Sequence, residues 1–180
     1  MSKAFTRDEN EGPDIPELIR PASTLPEGTR NYLTPGGAER LQRELADLME
    51  KERPKLAGST EDLEAKRQLF NVDQRIQQLG ESLGSAEVVQ PPAGASDVVR
   101  FGATVTVRGS SGNDSSYRIV GVDEIDLDRD WVSWQSPIAK ALMNSKVGER
   151  VRFKFPAGVE ELEIVAVSYE TLEGNAPSLP

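Results

Sequence analysis

The chain contains neither histidine nor cysteine. Imidazole general bases, Ser-His-Asp chemistry, disulfides and zinc–thiolate sites are therefore excluded. The side chains left for metal chemistry are carboxylates, which suit hard cations such as Mg²⁺ or Mn²⁺. They are plentiful: 30 acidic residues against 21 basic ones give a formal net charge of −9. A protein that holds nucleic acid on its own ordinarily carries a basic surplus, because counterion release from phosphates supplies most of the affinity. The charge argues against direct DNA or RNA binding as the main activity. It leaves room for action on nucleic acid inside a partner's active site.

Any such carboxylates must be presented by a scaffold, and the sequence outlines one. With 180 residues of which 37% are apolar, part of the chain is expected outside a compact core. Residues 1–30 carry Pro13, Pro16, Pro21 and Pro26 among charges, with no hydrophobic period, and read as a disordered tail. A short partner-binding motif around Ile15–Ile19 is the alternative. At Thr34-Pro35 a hydroxyl N-cap precedes a proline at the first helical position. Ala38, Leu41, Leu45 and Leu48 then recur at steps of three and four. Pro54 should kink or weaken the far end of this helix. After the turn Ala57–Thr60, a returning helix carries the stripe Leu69, Val72, Ile76, Leu79 and Leu83, and Gly80 and Gly84 are expected to loosen or end it. Two narrow stripes joined by a short loop predict an antiparallel coiled-coil hairpin over residues 31–89.

Residues 90–97 (QPPAGASD) read as a linker, beyond which the period shifts to two. Strands are expected over Val98–Val107 and Tyr117–Val122, around a hairpin loop at 109–114. Further strands follow at Trp131–Trp134, Val151–Phe155 and Leu162–Val167, with a short helix opened by Pro137. The fold class is α+β: a helical arm, then an antiparallel-sheet domain over residues 98–170, then a tail over 171–180. Trp131 and Trp134 are expected in or at the edge of its core. No apolar run reaches the ~18 residues of a membrane span, and the polar start MSKAFTRDENEG does not read as a signal peptide. A soluble cytoplasmic protein is expected.

Several segments, in order, are similar to the bacterial Gre family, closer to its GreB branch. They are YLTPGGAERLQRELADL followed by ERP, VDQRIQQL in the returning helix, and VVRFGATVTV, YRIVGVDE, SPIAKAL, VGERV and FPAGVEELEIVAVSYE beyond the linker. Together they span residues 31–170. The resemblance implies a coiled-coil arm joined to an FKBP-like domain. That domain would dock at the rim of the secondary channel of RNA polymerase, with the arm entering the channel. It also implies a monomeric accessory factor with no active site or cofactor of its own. In cleavage-competent members, acidic residues at the arm tip help hold a Mg²⁺ in the polymerase's active site, where water cuts backtracked RNA. Nascent RNA would be touched only indirectly.

At the tip this sequence departs from the family pattern. LAGSTEDLEAK stands where a Gly-Asp-x-x-Glu-Asn type motif is found, and the hairpin is shorter by about two turns per helix, or about 10 Å of reach. Glu61, Asp62 and Glu64 are the carboxylates nearest the tip. Two readings of them stand open: help to the polymerase's Mg²⁺, or stabilisation of the returning helix by Glu61 and Asp62 in its first turn behind a Ser59 or Thr60 cap. In SPIAKAL, Ser136, Pro137, Ile138 and Ala139 match the family's polymerase-contacting pattern, and Gln135 stands where Asp or Asn is frequent. The expected function is channel binding that regulates elongation without robust cleavage stimulation. Cleavage by delivered tip carboxylates is the alternative. An FKBP-like peptide-binding chaperone or isomerase is a remote one.

Overall fold

The computed structural model describes residues 28–58, 62–156 and 158–170. The tails expected over 1–30 and 171–180 fall outside these residues, apart from Gly28–Arg30. The first element among the described residues is a three-residue strand β1 (Asn31–Leu33). Helix α1 (Pro35–Asp47) follows at once, capped by the Thr34 hydroxyl accepting from Gly37 N–H, with proline in its first turn as the sequence predicts. A π-helical turn over Leu48–Glu52 then leads into α2 (Arg53–Ala57). There the Arg53 N–H donates to Leu48 C=O, five residues back. Pro54 has no N–H to give and crowds the preceding turn, so the helix widens just before it rather than breaking.

Helix α3 (Leu63–Ser85) returns over 23 residues, about 34 Å at ~1.5 Å per residue. It runs through Gly80 without a break and ends at Ser85, one residue after Gly84, where the sequence reading expected the two glycines to loosen or end it. No atom lies within 4 Å of where their Cβ atoms would stand. Burial of Leu79 and Leu83 against α1 holds the helix across both glycines, outweighing a propensity deficit of ~1 kcal/mol each. The two helical runs pair in opposite directions. Asn31 reaches Ser82, Arg75 grips Glu44 with two bonds of 2.7 and 2.9 Å, and Arg53 meets Asp73 at 2.7 Å. The first expected stripe and the end of the second meet here: Leu33 of β1, Ala38, Leu41 and Leu79 are buried, with Leu45, Leu48 and Leu83 packed around them. Leu69, Val72 and Ile76 are only half-buried. Ala65, one step before Leu69, is buried as well.

At the base, β2 (Ala86–Val88) runs parallel to β1. The second part is a five-stranded sheet built from β3 (Ala103–Arg108), β4 (Asp114–Val120), β5 (Trp131–Ser133), β6 (Arg150–Phe155) and β7 (Gly158–Tyr169), in the order β5-β4-β3-β7-β6. Helix α4 (Pro137–Leu142) packs on it beside β6. Two corrections to the sequence reading follow. The sheet is not wholly antiparallel, because β5 runs parallel to β4. The first strand begins at Ala103, five residues late, because Phe101-Gly102 turns the chain, Gly102 adopting φ +83°. One face is the core: Val99, Ala103, Val105, Val107, Ile119, Leu162 and Ile164, covered by Ala139 and Leu142 of α4. A β-bulge at Val165 shifts the register between Thr106 and Val107, so β7 turns even-numbered residues inward before it and odd-numbered ones after. Among the described residues no helix is long and apolar enough to cross a membrane.

Candidate functional site

Three regions bear on function: the arm tip, the face around α4, and the junction between arm and sheet. At the tip, Glu61 lies outside the described residues together with Ser59 and Thr60. The N-cap of α3 is Asp62, whose carboxylate accepts from Glu64 N–H at 2.9 Å. This corrects the expectation that Ser59 or Thr60 caps the helix with Asp62 inside its first turn. Glu64 does lie in that turn, accepting from Gln68 at 3.2 Å with Arg67 at 4.0 Å. Asp62 therefore satisfies an orphan amide of the helix start, and both carboxylates face the positive end of its dipole. Among the described residues no group of three or more Asp, Glu, His or Cys side chains is placed to hold a metal.

At α4 the four predicted residues divide by burial. The Ser136 hydroxyl caps the helix, accepting from Ala139 N–H at 3.2 Å. Pro137 is exposed, Ile138 half-buried and Ala139 fully buried, so Ala139 acts by packing. Ile138 also lines a cavity of about 240 Å³, whose apolar walls are Val107, Tyr117, Phe153 and Leu162 and whose rim includes Asn113 and Glu160. The cavity lies where the curled sheet and α4 leave an open wedge. Its lining is mixed: Gly109, Ser111, Asn113, Ser115 and Glu160 stand beside the apolar side chains, so it offers more polar than apolar surface.

The junction is built around Glu124, in a 3₁₀ turn over Val122–Glu124. Its side chain is 0% exposed. The carboxylate accepts from Thr34 N–H at 2.8 Å, from the Thr34 hydroxyl at 2.5 Å and from Gly121 N–H at 3.1 Å. Arg40 of α1 stands 3.5 Å away. Beside it, Asp123 takes Asn31 Nδ2–H at 3.1 Å and the Ser82 hydroxyl, tying both ends of the arm to the same turn. Trp131 is half-buried with the guanidinium carbons of Arg40 and Arg118 4.7 and 4.6 Å from its ring centre, and Arg129 at 5.3 Å. Each arginine also meets a carboxylate: Glu124, Glu170 and Asp126 respectively. The Arg118 hydrogen bond holds the Glu170 carboxyl below its ordinary pKa, against a weaker opposing effect of burial. Trp134 packs edge-on against Tyr32 of β1, ring centres 5.3 Å apart. Both tryptophans are thus half-core, at the seam between the two parts.

Residues 94–169, the end of the linker and the whole five-stranded sheet with α4, match the family model for the C-terminal part of the transcription elongation factors GreA/GreB. A transcription elongation factor GreB of Neisseria meningitidis is 39% identical over 155 residues, covering 78% of this chain and 95% of its own. The GreA of Alkalilimnicola ehrlichii is 40% identical, covering 76% of this chain and 96% of its own. The chain belongs to the GreA/GreB family of transcription elongation factors. Among solved structures, the GreA factor homolog 1 of Thermus thermophilus is similar at 26% identity and a TM-score of 0.37, over 78% of this chain and 99% of that one.

In this GreA/GreB chain the segments that carried the resemblance fall on both parts of the molecule. Sequence reasoning found the tip and the α4 face and missed the junction. A signal was present: Gly121-Val122-Asp123-Glu124 follows a strand with a glycine and then an acidic residue three places on, the spacing with which a carboxylate reaches back to a turn's first amide. What the spacing does not reveal is the partner, Thr34, 90 residues earlier.

Proposed function

We propose that this GreA/GreB-family chain binds RNA polymerase at the rim of its secondary channel and regulates elongation by occupying that channel, without robust stimulation of transcript cleavage. In this reading the five-stranded part is the FKBP-like docking domain and the helical pair is the antiparallel coiled-coil arm that enters. The chain is then a cytoplasmic accessory factor, monomeric, with no chemistry outside the complex. The cavity beside α4 supports the docking role. Ile138 lines it together with Tyr117 and Phe153, and its mixed lining suits a side chain from the rim that also brings hydrogen-bonding groups.

The observation that carries the mechanism is the commitment of the Asp62 carboxylate to the helix start. A metal ligand must offer its oxygens within ~2.3–2.6 Å for calcium-sized ions and closer for Mg²⁺. Asp62 spends its carboxylate on the α3 cap, and releasing it costs about 1 kcal/mol of helix stability. The shortened arm adds a shortfall of about 10 Å in reach. The alternative, delivery of Glu61, Asp62 and Glu64 to the polymerase Mg²⁺, requires the tip to rearrange on arrival. The cavity also leaves a peptide-binding reading of isomerase or chaperone type, which a proline-peptide isomerisation assay addresses; fold likeness alone does not favour it.

Because the chain has no cysteine, a single Lys55→Cys places a hydroxyl-radical-generating iron chelate near the tip. Cuts in polymerase segments lining the secondary channel, lost when Ile138→Asp blocks docking, are expected. Cuts confined to the outer surface, or a pattern indifferent to Ile138→Asp, would overturn the proposal.

A further inference from the structure

The carboxylate of Glu124 is reached by neither candidate contact surface, yet it joins the base of the arm to the sheet. We propose that Glu124 is a positioning residue that fixes the direction in which the helical arm leaves the C-terminal sheet. The proposal rests on the reading of the arm as the element that enters the polymerase channel.

The bonds form one continuous chain. Gly37 N–H donates to the Thr34 hydroxyl at 3.0 Å, and that hydroxyl donates to Glu124 at 2.5 Å. The cap that starts α1 is thus itself held by a side chain from the other part. The second carboxylate oxygen accepts from the Thr34 and Gly121 amides. A buried, acceptor-only group with three donors from two directions has a single good orientation, and charge-assisted bonds of this kind are the strong ones. The backbone is shaped around it. A Cβ on Gly37 would stand 1.8 Å from Glu124 Oε1, so only glycine leaves the carboxylate its place. Leverage explains why the orientation matters. The arm is about 34 Å long, so a swing of about 10° at its base moves the tip by about 6 Å.

The orientation is set by the shape and acceptors of the group, while its charge strengthens the bonds and adds the contact with Arg40 at 3.5 Å. In Glu124→Gln, the amide oxygen can accept from both backbone N–H groups. The NH₂ can donate to the Thr34 hydroxyl, which has a second lone pair free beside the one given to Gly37. Glu124→Ala leaves all three donors buried without a partner.

The test uses the full chain carrying Lys55→Cys on the arm and Lys146→Cys on the sheet domain, both exposed positions, spin-labelled for pulsed distance measurement in the free protein. One narrow distance is expected for the parent chain and for Glu124→Gln. A broadened distribution is expected for Glu124→Ala and for Gly37→Ala, with helix content and the near-UV spectrum kept. Gly37→Ala displaces the carboxylate without removing it, and it carries the test should Glu124→Ala fail to fold. A drop of about tenfold in the oriented population of the broadened variants should weaken both the effect on transcription and the apparent polymerase affinity by that factor. A distribution that stays narrow in Gly37→Ala and Glu124→Ala would overturn the proposal, as would Glu124→Gln broadening like alanine. Broadening as expected in a protein whose parent does not bind polymerase would sink the channel reading and leave the positioning role standing.

Discussion

Gly121 offers a sharp test of the junction, because two physical effects of one methyl group oppose each other there. Its backbone angles, φ −66° and ψ 164°, are open to any residue. On conformational grounds alone, Gly121→Ala should stabilise the protein by about 0.4–1 kcal/mol, by restricting the unfolded chain. The surroundings say otherwise. The added Cβ would stand 2.1 Å from the Tyr32 carbonyl oxygen, 2.9 Å from Glu124 Oε2 and 3.2 Å from Leu33 Cδ2. The first contact is with backbone and falls more than 1 Å short of an ordinary approach, so β1 must retreat from the turn. Overpacking of that kind costs about 1–3 kcal/mol or more, and it wins over the entropic gain. For a chain of this size each kcal/mol corresponds to about 2–4 °C in melting temperature, so a fall of several degrees is expected in a thermal scan followed by circular dichroism. Gly80→Ala is the internal control. It lies inside α3, five residues before its end, with nothing within 4 Å of its would-be Cβ, and should raise stability by about 0.5–1 kcal/mol. A Gly121→Ala protein as stable as the parent, beside a Gly80→Ala that behaves as expected, would refute the close approach of β1 to the 121–124 turn.

Other substitutions test the remaining parts. Asp62→Ala should destabilise α3 by about 1 kcal/mol, visible as faster amide exchange over its first turn, whereas Glu64→Ala should change it by only a few tenths. Leu79→Ala, at a side chain only 1% exposed, should cost about 2–5 kcal/mol in chemical denaturation. The Glu170 carboxyl should titrate below the usual carboxylate range in an NMR pH series and return to it in Arg118→Ala. Because its folded pKa is depressed, the stability it lends is complete above the unfolded value of ~4.3 and is lost as pH falls through the lower folded value. Arg118→Ala should therefore flatten the acid limb of the stability curve in that window.

The parts of this fold that were legible in the sequence are those written by repetition. The stripe Ala38–Leu48 and the end of the second one, Leu79 and Leu83, name the faces that form the buried cluster, because seven-residue spacing has few other meanings. Val151–Phe155 and Leu162–Val167 announce strands by alternation, although the bulge at Val165 shows only in the register. What repetition does not write was missed. Strands β1 and β2 are three residues each, too short to show a period, and their parallel pairing joins segments 55 residues apart. The capping residue of α3 was misassigned among Ser59, Thr60 and Asp62, which are all good caps, so only geometry chooses between them. For the candidate site, Ile138 lines a cavity and Pro137 is exposed, while Ala139 proved to be core. Glu124 was missed because a single buried carboxylate looks like any surface acid until its donors are known.

The most direct measurement is RNA cleavage by a stalled, backtracked elongation complex of the cognate polymerase, with and without this protein, with binding followed in the same samples. Binding that leaves the cleavage rate at the level of the polymerase alone, while elongation or pausing changes, is the expected result. Cleavage accelerated well beyond the polymerase's own rate, and abolished by replacing Glu61, Asp62 and Glu64 together with alanine, would contradict it and show that the tip reaches the metal.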